Sequence, residues 1–386
     1  MPPTKILLSA GEASGDMYAA RLAAELKKRA DVDIFGMGGA QMRAAGVEVV
    51  TDYSEVSVLG ITEILKHLPQ LRRAMRNLVS QARVQKPALG ILTDFPGFHL
   101  RLARKLKPLG VKNIYYICPQ FWAWRPWRAN LVRRRFTLAL CIFPFEEKFF
   151  GDAGVSVKFI GHPLVGEVRA TLSRDEFAAK YGLDPSRRTI AILPGSRTGE
   201  IARHLPTLLE SVRELEHQNP GSYNFVLALS ADTDVVLVKR LLPQSAGAAL
   251  VFGDTYNALA SADAAMICSG TATIEAALLD VPMIVVYKVS KLTALLAKPL
   301  IRTKFFGMVN LIAEREVAPE LIQEDFEPKR ITREIQQLME PARLAQARAD
   351  LAEVRRRLGP PGAVERAAEA ILALMREGAK GSGNDS

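Results

Sequence analysis

The sequence predicts an α/β protein with two Rossmann-like domains that face a cleft, each built on a mostly parallel sheet. Short apolar runs alternate with helical patterns along the whole length, and these runs fall into two series. Continuous apolar runs between helices are typical of strands that are buried on both faces of a parallel sheet. The length of 386 residues also exceeds what one hydrophobic core commonly holds, which favours two domains.

The two series of apolar runs define the expected domains. The strand candidates of the first series are residues 5–9, 32–35, 89–93, 113–117, 139–143 and 157–160, and those of the second are residues 189–193, 224–229, 249–252, 264–268 and 283–287. The expected domains are therefore residues 1–164 and 165–358. A helix over 359–377 is expected to return across the domains or to a partner chain. The small, polar tail over 378–386 is expected to be disordered.

Composition and charge narrow the classes of function. Three widely spaced cysteines argue against a disulfide framework or a zinc site and for a reducing compartment. No apolar stretch approaches the roughly 18 to 20 residues that span a bilayer, and the N-terminus does not resemble a signal peptide, so a cytoplasmic chain is expected. The net charge of +10 favours phosphorylated substrates, an anionic membrane surface or nucleic acid as partners.

Residues 269–275, Ser-Gly-Thr-Ala-Thr-Ile-Glu, have the composition of a phosphate-binding helix start. They follow an apolar strand candidate and open a helical stretch, where free backbone N–H groups and the helix dipole favour an anion. Thr271 and Glu275 stand four apart, so they share one helix face and suit the hydroxyls of a ribose. The segment therefore indicates a nucleotide-sugar pocket, and an N-capped helix after a buried strand is the alternative.

Residues 193–197, Leu-Pro-Gly-Ser-Arg, resemble a second strand-to-loop phosphate site. Gly195 permits close backbone approach, Ser196 offers a hydroxyl, and Arg197 supplies a permanent charge with forked donors. In a uridine diphosphate transfer, such an arginine would neutralise charge on the leaving phosphate. An exposed turn arginine is the alternative.

The first series carries two loops at strand ends, where an open α/β sheet places its ligands. Residues 11–16, Gly-Glu-Ala-Ser-Gly-Asp, match neither a dinucleotide fingerprint nor a P-loop, which weakens NAD and ATP as ligands. Asp94 ends a strand candidate and is placed like a general base, with His99 as a second possible base. The alternatives are a helix cap from Ser14 or Asp16 and a turn that Asp94 initiates.

Two further segments combine apolar and basic residues. Three tryptophans, Trp122, Trp124 and Trp127, lie within six positions and are followed by several arginines, so they suit core packing, sugar stacking or a membrane interface. Residues 60–81 place apolar side chains at helical spacing with basic residues off that stripe, and Pro69 is expected to split the stretch into two helices. Such a stretch can lie in a bilayer interface, although packing on its own sheet is the commoner explanation.

Taken in order, these segments resemble the lipid-A-disaccharide synthase family, which are inverting glycosyltransferases of the GT-B superfamily. The matching segments are residues 11–16, 37–39, 94–98, 119–124, 143–146, 159–164, 193–197 and 269–275, with Asn310. The resemblance implies transfer of diacylglucosamine from UDP-diacylglucosamine to diacylglucosamine phosphate (lipid X), with release of UDP. It also implies an acceptor-binding N-terminal domain, a UDP-binding C-terminal domain, a monomer or homodimer at the inner face of the cytoplasmic membrane, and no metal or other cofactor.

The same resemblance assigns the expected site residues. Asp94 matches the expected base, and Arg197 matches an arginine required for activity. The expected donor contacts are Gly195, Ser196, Arg197, Ser269, Gly270, Thr271, Thr273, Glu275 and Asn310. The expected acceptor contacts are Ser14, Asp16, His99, Gln120 and Trp124. The expected membrane contacts are Ile61, Ile64, Leu65, Leu68 and Leu71, assisted by the arginine-rich segment after Trp127.

The sequence departs from the family pattern at two positions, because His99 stands where asparagine is usual and Cys118 where serine is frequent. Two other readings stay open. Another GT-B UDP-sugar transferase or epimerase would keep a segment like 269–275 but lack segments like 94–98 and 122–124. A basic nucleic-acid-binding protein would suit the charge, although the sequence has no recognition-helix, RNP or zinc-finger signature.

Overall fold

The computed structural model describes residues 2–55, 68–242, 247–290, 294 and 303–381. The chain divides into two compact units, of which unit 1 contains residues 1–163 and 360–386 and unit 2 contains residues 164–359. Each unit is built on a parallel sheet with helices, so the predicted α/β class with two parallel sheets is confirmed. Among the described residues, no helix is both long and apolar enough to cross a membrane.

The sheet of unit 1 has the order β3-β2-β1-β4-β5-β6-β7 within the described residues, and its neighbouring strands are parallel. Its strands are β1 (Thr4–Ala10), β2 (Val32–Gly38), β3 (Glu48–Asp52), β4 (Leu89–Thr93), β5 (Lys112–Tyr116), β6 (Leu138–Cys141) and β7 (Val157–Phe159). The strand order reverses between β1 and β4, which pair with Ser9 opposite Leu92. The loops that follow these two strands therefore leave the sheet side by side, at the place where open α/β sheets bind ligands.

The helices of unit 1 cover this sheet. They are α1 (Ala13–Arg29), α2 (Ala40–Ala44), α3 (Leu68–Gln85), α4 (Pro96–Leu106), α5 (Phe121–Trp124), α6 (Ala129–Arg135) and α7 (Pro144–Asp152). Leu78 of α3, Leu102 of α4 and Val132 of α6 belong to one buried cluster with strand residues such as Leu92. Each large side chain buried there contributes about 1.5–3 kcal/mol, so the helices are fixed mainly by apolar packing.

The sheet of unit 2 has the order β10-β9-β8-β11-β12-β13 within the described residues, again with parallel neighbours. Its strands are β8 (Arg188–Leu193), β9 (Tyr223–Leu229), β10 (Ala248–Phe252), β11 (Ala264–Cys268), β12 (Met283–Tyr287) and β13 (Glu320–Ile322). The order reverses between β8 and β11, where Ile192 stands opposite Met266. The two phosphate-type loops of the sequence follow these two strands, so they are neighbours.

The helices of unit 2 follow the same alternation with its strands. They are α8 (Arg174–Tyr181), α9 (Thr198–Gln218), α10 (Val235–Leu241), α11 (Thr255–Ala260), α12 (Ala272–Leu278), α13 (Met308–Ala313), α14 (Pro328–Leu338) and α15 (Pro341–Arg357). Leu205 and Leu208 of α9 pack with Ile331 and Ile335 of α14 in one buried cluster. The apolar face of α9 is thus covered on its own unit.

The last helix, α16 (Ala363–Gly381), belongs to unit 1. It packs on α1 and buries Ala367 and Ile371 completely. The Arg366 Nε atom donates to the Ile160 carbonyl at 2.8 Å, which ties the start of the helix to the end of β7. The apolar side chains of the last helix are therefore buried within unit 1.

The edge strands β3 and β13 were not expected from the sequence, because both are short and carry acidic residues rather than an apolar run. Pro69 lies in the first turn of α3, where a missing N–H costs little, so a helix from Leu68 to Gln85 begins where the sequence placed a division between two helices. The stretch before it, residues 56–67, lies outside the described residues.

Candidate active site

Asp94 follows β4 in a strained conformation. Its φ is +55° and that of Phe95 is +39°, values that cost a non-glycine residue about 1 kcal/mol or more. Two buried side chains hold this turn through the Asp94 carbonyl: the Tyr115 hydroxyl donates to it at 2.9 Å, and His99 Nδ1 lies 2.9 Å from it. The turn directs the Asp94 carboxyl to the neighbouring loop after β1, where the Gly11 amide donates to Oδ1 at 3.0 Å.

The Asp94 carboxyl is nearly enclosed and only partly satisfied. Its Oδ2 atom is buried without a hydrogen-bond partner. A Cβ at Gly15 in the first turn of α1 would lie 1.7 Å from Oδ2, so only glycine allows this approach. Burial raises the pKa of Asp94 to about 8, although the Gly11 amide opposes the shift. A carboxyl that exchanges its proton near neutral pH suits a general base or acid.

His99 supports the Asp94 turn through two hydrogen bonds within the protein. The side chain is completely buried, and its Nε2 atom lies 2.8 Å from the Ser9 hydroxyl. Because the Asp94 carbonyl can only accept, Nδ1 carries the proton and Nε2 accepts from Ser9. Burial lowers the pKa of His99 to about 4, so the ring is neutral. Both ring nitrogens thus have protein partners, and the acceptor contact at His99 stays a prediction.

Asp16 also has a structural role. It is buried, and its carboxylate accepts from the amides of Gly39 at 2.6 Å, Gln41 at 3.0 Å and Met42 at 3.3 Å. These amides open α2, so Asp16 caps that helix, and its acceptor contact stays a prediction. The other acceptor candidates, Ser14, Gln120 and Trp124, are exposed at strand or helix ends of the same unit.

The three tryptophans divide into one packed and two exposed rings. Trp122 packs edge-on against Phe145, with ring centroids 4.9 Å apart, and its Nε1 donates to Glu146 at 3.1 Å. Glu146 is completely buried and also accepts from the amides of Ile142 and Phe143. Burial raises the pKa of Glu146 to about 8. The Trp124 and Trp127 rings are 38% and 59% exposed, so core packing does not account for them.

Unit 2 contains a pocket of about 710 Å³ at the strand-order reversal between β8 and β11. Seven of the expected donor contacts line it: Gly195, Ser196, Arg197, Ser269, Gly270, Thr271 and Glu275. Sequence reasoning missed other polar lining residues, among them Arg169, Glu200, Asp254, Tyr256 and Asn257. Arg169 and Asp254 lie on loops and the other three lie in the first turns of α9 and α11, none in a recognisable motif, and only the folding of the sheet brings them to the pocket.

Glu275 is the buried acid of this pocket. It lies in the first turn of α12, where its Oε1 atom is 3.4 Å from the Tyr256 hydroxyl. Burial raises its pKa, and the Tyr256 bond opposes the shift. A carboxylate with free acceptor positions beside an exposed Thr271 is suited to bind two hydroxyl groups.

The loop after β8 holds a carboxylate at its backbone amides. Glu200 Oε2 accepts from the amides of Ser196 at 3.2 Å and Arg197 at 3.3 Å, at the start of α9. Gly195 has a φ of +121°, and a Cβ there would lie 2.7 Å from Glu200, so the loop requires glycine. Arg197 pairs with Glu200 at 3.2 Å and is otherwise open, with 67% of its side chain exposed. The loop thus already binds one anionic group.

Three expected donor residues make hydrogen bonds within the protein. Asn310 is completely buried, donates to the Ala318 carbonyl at 2.7 Å and accepts from the Val317 amide at 2.7 Å, and its donor contact stays a prediction. Thr273 is also completely buried and donates to the Gly270 carbonyl at 2.8 Å, and its donor contact likewise stays a prediction. Ser269 lines the pocket, but its hydroxyl donates to the Phe306 carbonyl at 2.8 Å.

The expected membrane contacts are only partly described. Leu71 is half-buried and packs against the core of unit 1, and its membrane contact stays a prediction. Leu68 is half-buried at the start of α3, while Ile61, Ile64 and Leu65 lie outside the described residues. In the described part of the chain, no cluster of three or more His, Cys, Asp or Glu residues could hold a metal ion.

The fold is that of the GT-B glycosyltransferases and of related UDP-sugar epimerases. The structure aligns with S. aureus MnaA in its UDP co-structure at a TM-score of 0.65 and 13% identity, over 97% of each chain. It aligns with the UDP-GlcNAc 2-epimerase from Neisseria meningitidis bound to UDP-GlcNAc at a TM-score of 0.65 and 13% identity, over 96% of this chain and 100% of that one. The calicheamicin glycosyltransferase CalG4 aligns at 0.60 with 16% identity, over 97% and 98% of the chains.

Sequence relatives narrow this class to one family. The lipid-A-disaccharide synthetase family model matches residues 6–374. The lipid-A-disaccharide synthase of Myxococcus xanthus is 42% identical over 379 residues, which cover 97% of this chain and 99% of the relative. That of Solibacter usitatus is 43% identical over 374 residues, 96% of this chain and 97% of the relative. The chain belongs to the lipid-A-disaccharide synthetase family and is a glycosyltransferase, which confirms the resemblance and does not favour the nucleic-acid alternative.

Proposed function

We propose that this protein transfers diacylglucosamine from UDP-diacylglucosamine to lipid X, with inversion at the anomeric carbon and release of UDP. Family membership supports the reaction class. The observation that carries the chemistry is the Asp94 carboxyl, whose buried Oδ2 atom has no partner and whose pKa is raised to about 8.

Asp94 acts as the general base in this proposal. Its Oδ2 atom takes the proton of the acceptor hydroxyl, and the acceptor oxygen forms the new bond to the anomeric carbon. The bond between that carbon and the diphosphate breaks at the same time, and the electron pair leaves with UDP. Attack on the face opposite the leaving group produces inversion. A general base of this kind contributes roughly 10²- to 10⁴-fold to the rate.

The pocket of unit 2 binds the UDP part of the donor. Glu275 accepts the ribose hydroxyls, and Arg197 faces the charge that builds on the leaving phosphate. The amides of Ser196 and Arg197, which hold the Glu200 carboxylate, suit a phosphate oxygen equally well. A diphosphate at these amides takes the place of that carboxylate.

The enzyme collects both acylated substrates at the inner face of the cytoplasmic membrane, as a peripheral protein. The net charge of +10 supports attraction to anionic lipid. Leu68 and the apolar residues that precede it in the sequence, Ile61, Ile64 and Leu65, supply the apolar contact. Replacing Ile64, Leu65 and Leu68 by serine should release the protein from vesicles and leave its melting temperature unchanged. A lower melting temperature would instead assign this stripe to the core.

The test of the reaction is an assay of UDP release from UDP-diacylglucosamine with and without lipid X. The proposal expects release that depends on lipid X, together with a disaccharide phosphate product of inverted configuration. UDP release that does not require lipid X, or an epimerised donor with no disaccharide, would contradict the proposal and favour another UDP-sugar enzyme. Asp94→Asn is the matched control, because it keeps the size of the side chain.

A further inference from the structure

Two arginines of unit 1 stack on an exposed tryptophan, and a third repels the charge of one of them; we call the three the arginine cluster. They are Arg101 on α4, Arg125 at the end of α5 and Arg128 in the turn before α6. The Arg125 guanidinium lies 4.5 Å from the centre of the Trp124 ring, and that of Arg128 lies 5.5 Å from it. Arg128 is also 5.5 Å from the centre of the Trp127 ring. Stacking on aromatic rings thus holds two of the three cations in place.

The positive charge of the cluster has no counter-charge. Within the described residues, no carboxylate forms a salt bridge with any of the three arginines, whereas nine other arginines each pair with at least one acid other than an immediate chain neighbour: Arg29, Arg43, Arg174, Arg187, Arg197, Arg315, Arg330, Arg355 and Arg357. Burial lowers the pKa of Arg128, and Arg125 and Arg101 lower it further by repulsion. The Arg128 Nε atom is buried without a partner. A buried N–H donor without a partner, on a guanidinium beside two other positive charges, raises the free energy of the folded protein. An anion bound at the cluster lowers that free energy.

The cluster lies beside the Asp94 loop. The Arg101 guanidinium donates to the Gly97 carbonyl at 3.0 Å, three residues after Asp94. The Tyr115 hydroxyl, which donates to the Asp94 carbonyl, also raises the pKa of Arg128 by electrostatic attraction. A molecule bound at the cluster therefore reaches the same edge of the sheet as the proposed base.

We propose that Arg101, Arg125 and Arg128 bind a phosphate monoester carried by a lipid, with the Trp124 and Trp127 rings against the part of the lipid next to the phosphate. Guanidinium groups bind phosphate oxygens through paired donors, and exposed tryptophans suit the boundary between polar and apolar parts of a lipid. The inference rests on the proposed function for one source of the phosphate, the acceptor lipid X. A phosphomonoester lipid of the bilayer presents the same chemistry.

The test is the double variant Arg101→Gln/Arg125→Gln, with Arg104→Gln/Lys105→Gln as the matched control. Both remove two positive charges from exposed or half-exposed positions of unit 1, but neither control residue stacks on Trp124 or Trp127. Arg128→Lys is a third variant, which keeps the charge and loses the forked donors. Melting temperatures equal to that of the wild type establish that each variant is folded.

Two measurements distinguish the source of the phosphate. One is the KM for lipid X and for UDP-diacylglucosamine in detergent micelles, and the other is binding to phosphatidylcholine vesicles with and without phosphatidic acid. A rise of roughly 10- to 100-fold in the KM for lipid X, with the donor KM unchanged, assigns the site to the acceptor phosphate. Loss of the binding that phosphatidic acid adds, with an unchanged KM for lipid X, assigns it to bilayer lipid.

Equal behaviour of the cluster variant and the control variant in both measurements would overturn the inference. Failure of the wild type to transfer sugar to lipid X would contradict the proposed function, while the vesicle measurement would still test the arginine cluster. The proposed function and the arginine-cluster inference are therefore contradicted by different results.

Discussion

The Tyr115 hydroxyl donates a 2.9 Å hydrogen bond to the backbone carbonyl of Asp94. The two residues are brought together by the parallel pairing of β4 and β5, in which Thr93 stands opposite Tyr116. His99 Nδ1 shares the same carbonyl at 2.9 Å. The two bonds hold a left-handed Asp94 in place, so the position of the proposed base depends on buried groups that do not contact a substrate.

Replacing Tyr115 by phenylalanine should lower kcat by about tenfold without a change in the donor KM. The reason is that the variant removes one of the two bonds that hold the strained turn, at a cost near 1–2 kcal/mol. Steady-state kinetics in both substrates measures the effect. Tyr116→Phe is the matched control, because the buried Tyr116 hydroxyl has no hydrogen-bond partner. Equal kcat values for the two variants would remove Tyr115 from a positioning role.

Replacing Asp94 by asparagine should lower turnover roughly 10²- to 10⁴-fold while UDP binding is retained. Asparagine keeps an oxygen for the Gly11 amide but cannot accept the proton of the acceptor hydroxyl. Single-turnover kinetics and calorimetric titration with UDP separate the two effects. Near-normal turnover would exclude Asp94 as the base.

The activity of the wild type should rise with pH up to about 8. The raised pKa of Asp94, caused first by burial, leaves its carboxyl largely protonated at pH 7, and a base acts only when deprotonated. The profile of kcat/KM for the acceptor against pH measures this rise in activity. A profile that is flat from roughly pH 6 to pH 9 would contradict the assignment.

The same carboxyl should make the protein less stable as pH rises. Its pKa is about 8 in the folded protein, against an ordinary value of 3.8 in an unfolded chain, so the folded state binds more protons between these pH values and loses stability as pH increases through them. Asp94→Asn removes this loss. We expect the variant to gain more than ~1 kcal/mol in free energy of unfolding relative to the wild type on going from pH 5 to pH 8, as measured by denaturant titration. Glu146 titrates in both proteins and cancels in the comparison.

Replacing Glu275 by glutamine should raise the donor KM more than it lowers kcat. A ribose contact changes little between the bound donor and the transition state, so its loss weakens binding and leaves the chemical step nearly intact. Kinetics with UDP-diacylglucosamine and the Kd for UDP measure the two effects. A fall in kcat alone would move Glu275 from ribose binding to the chemistry.

The sequence predicted the two phosphate-type loops of unit 2. Glycine, hydroxyl-bearing residues and arginine after an apolar run indicate a phosphate site, and this inference does not depend on the rest of the fold. It did not separate ligand contacts from supports within those loops. Thr273 and Asn310 have the side chains of binding residues, yet both are completely buried and satisfied by backbone groups. Asp16 and His99 are likewise buried and hydrogen-bonded to backbone groups, which the sequence did not indicate, since burial is decided by what packs around a residue.

Some groups at the sites carried no signal in the sequence. Tyr115 lies within a strand as an apparent core residue, and Tyr256 and Arg169 lie outside any motif. Their roles follow from strand order, which places the ends of β4 and β5, or of β8 and β11, next to each other. A local pattern of residues does not predict which strands are neighbours in the sheet.

By itself the sequence determined the α/β class, the alternation of strands and helices, the phosphate-type loops and the carboxylate at the end of β4, because these depend on residue type and local spacing. Only the tertiary structure decided which polar groups are buried and paired, that the Asp94 carboxyl is enclosed with a raised pKa, and that three arginines share one face without a counter-charge. These properties are desolvation and electrostatic effects. They arise from the distances between residues that are far apart in the chain, and the chain sets those distances only when it folds.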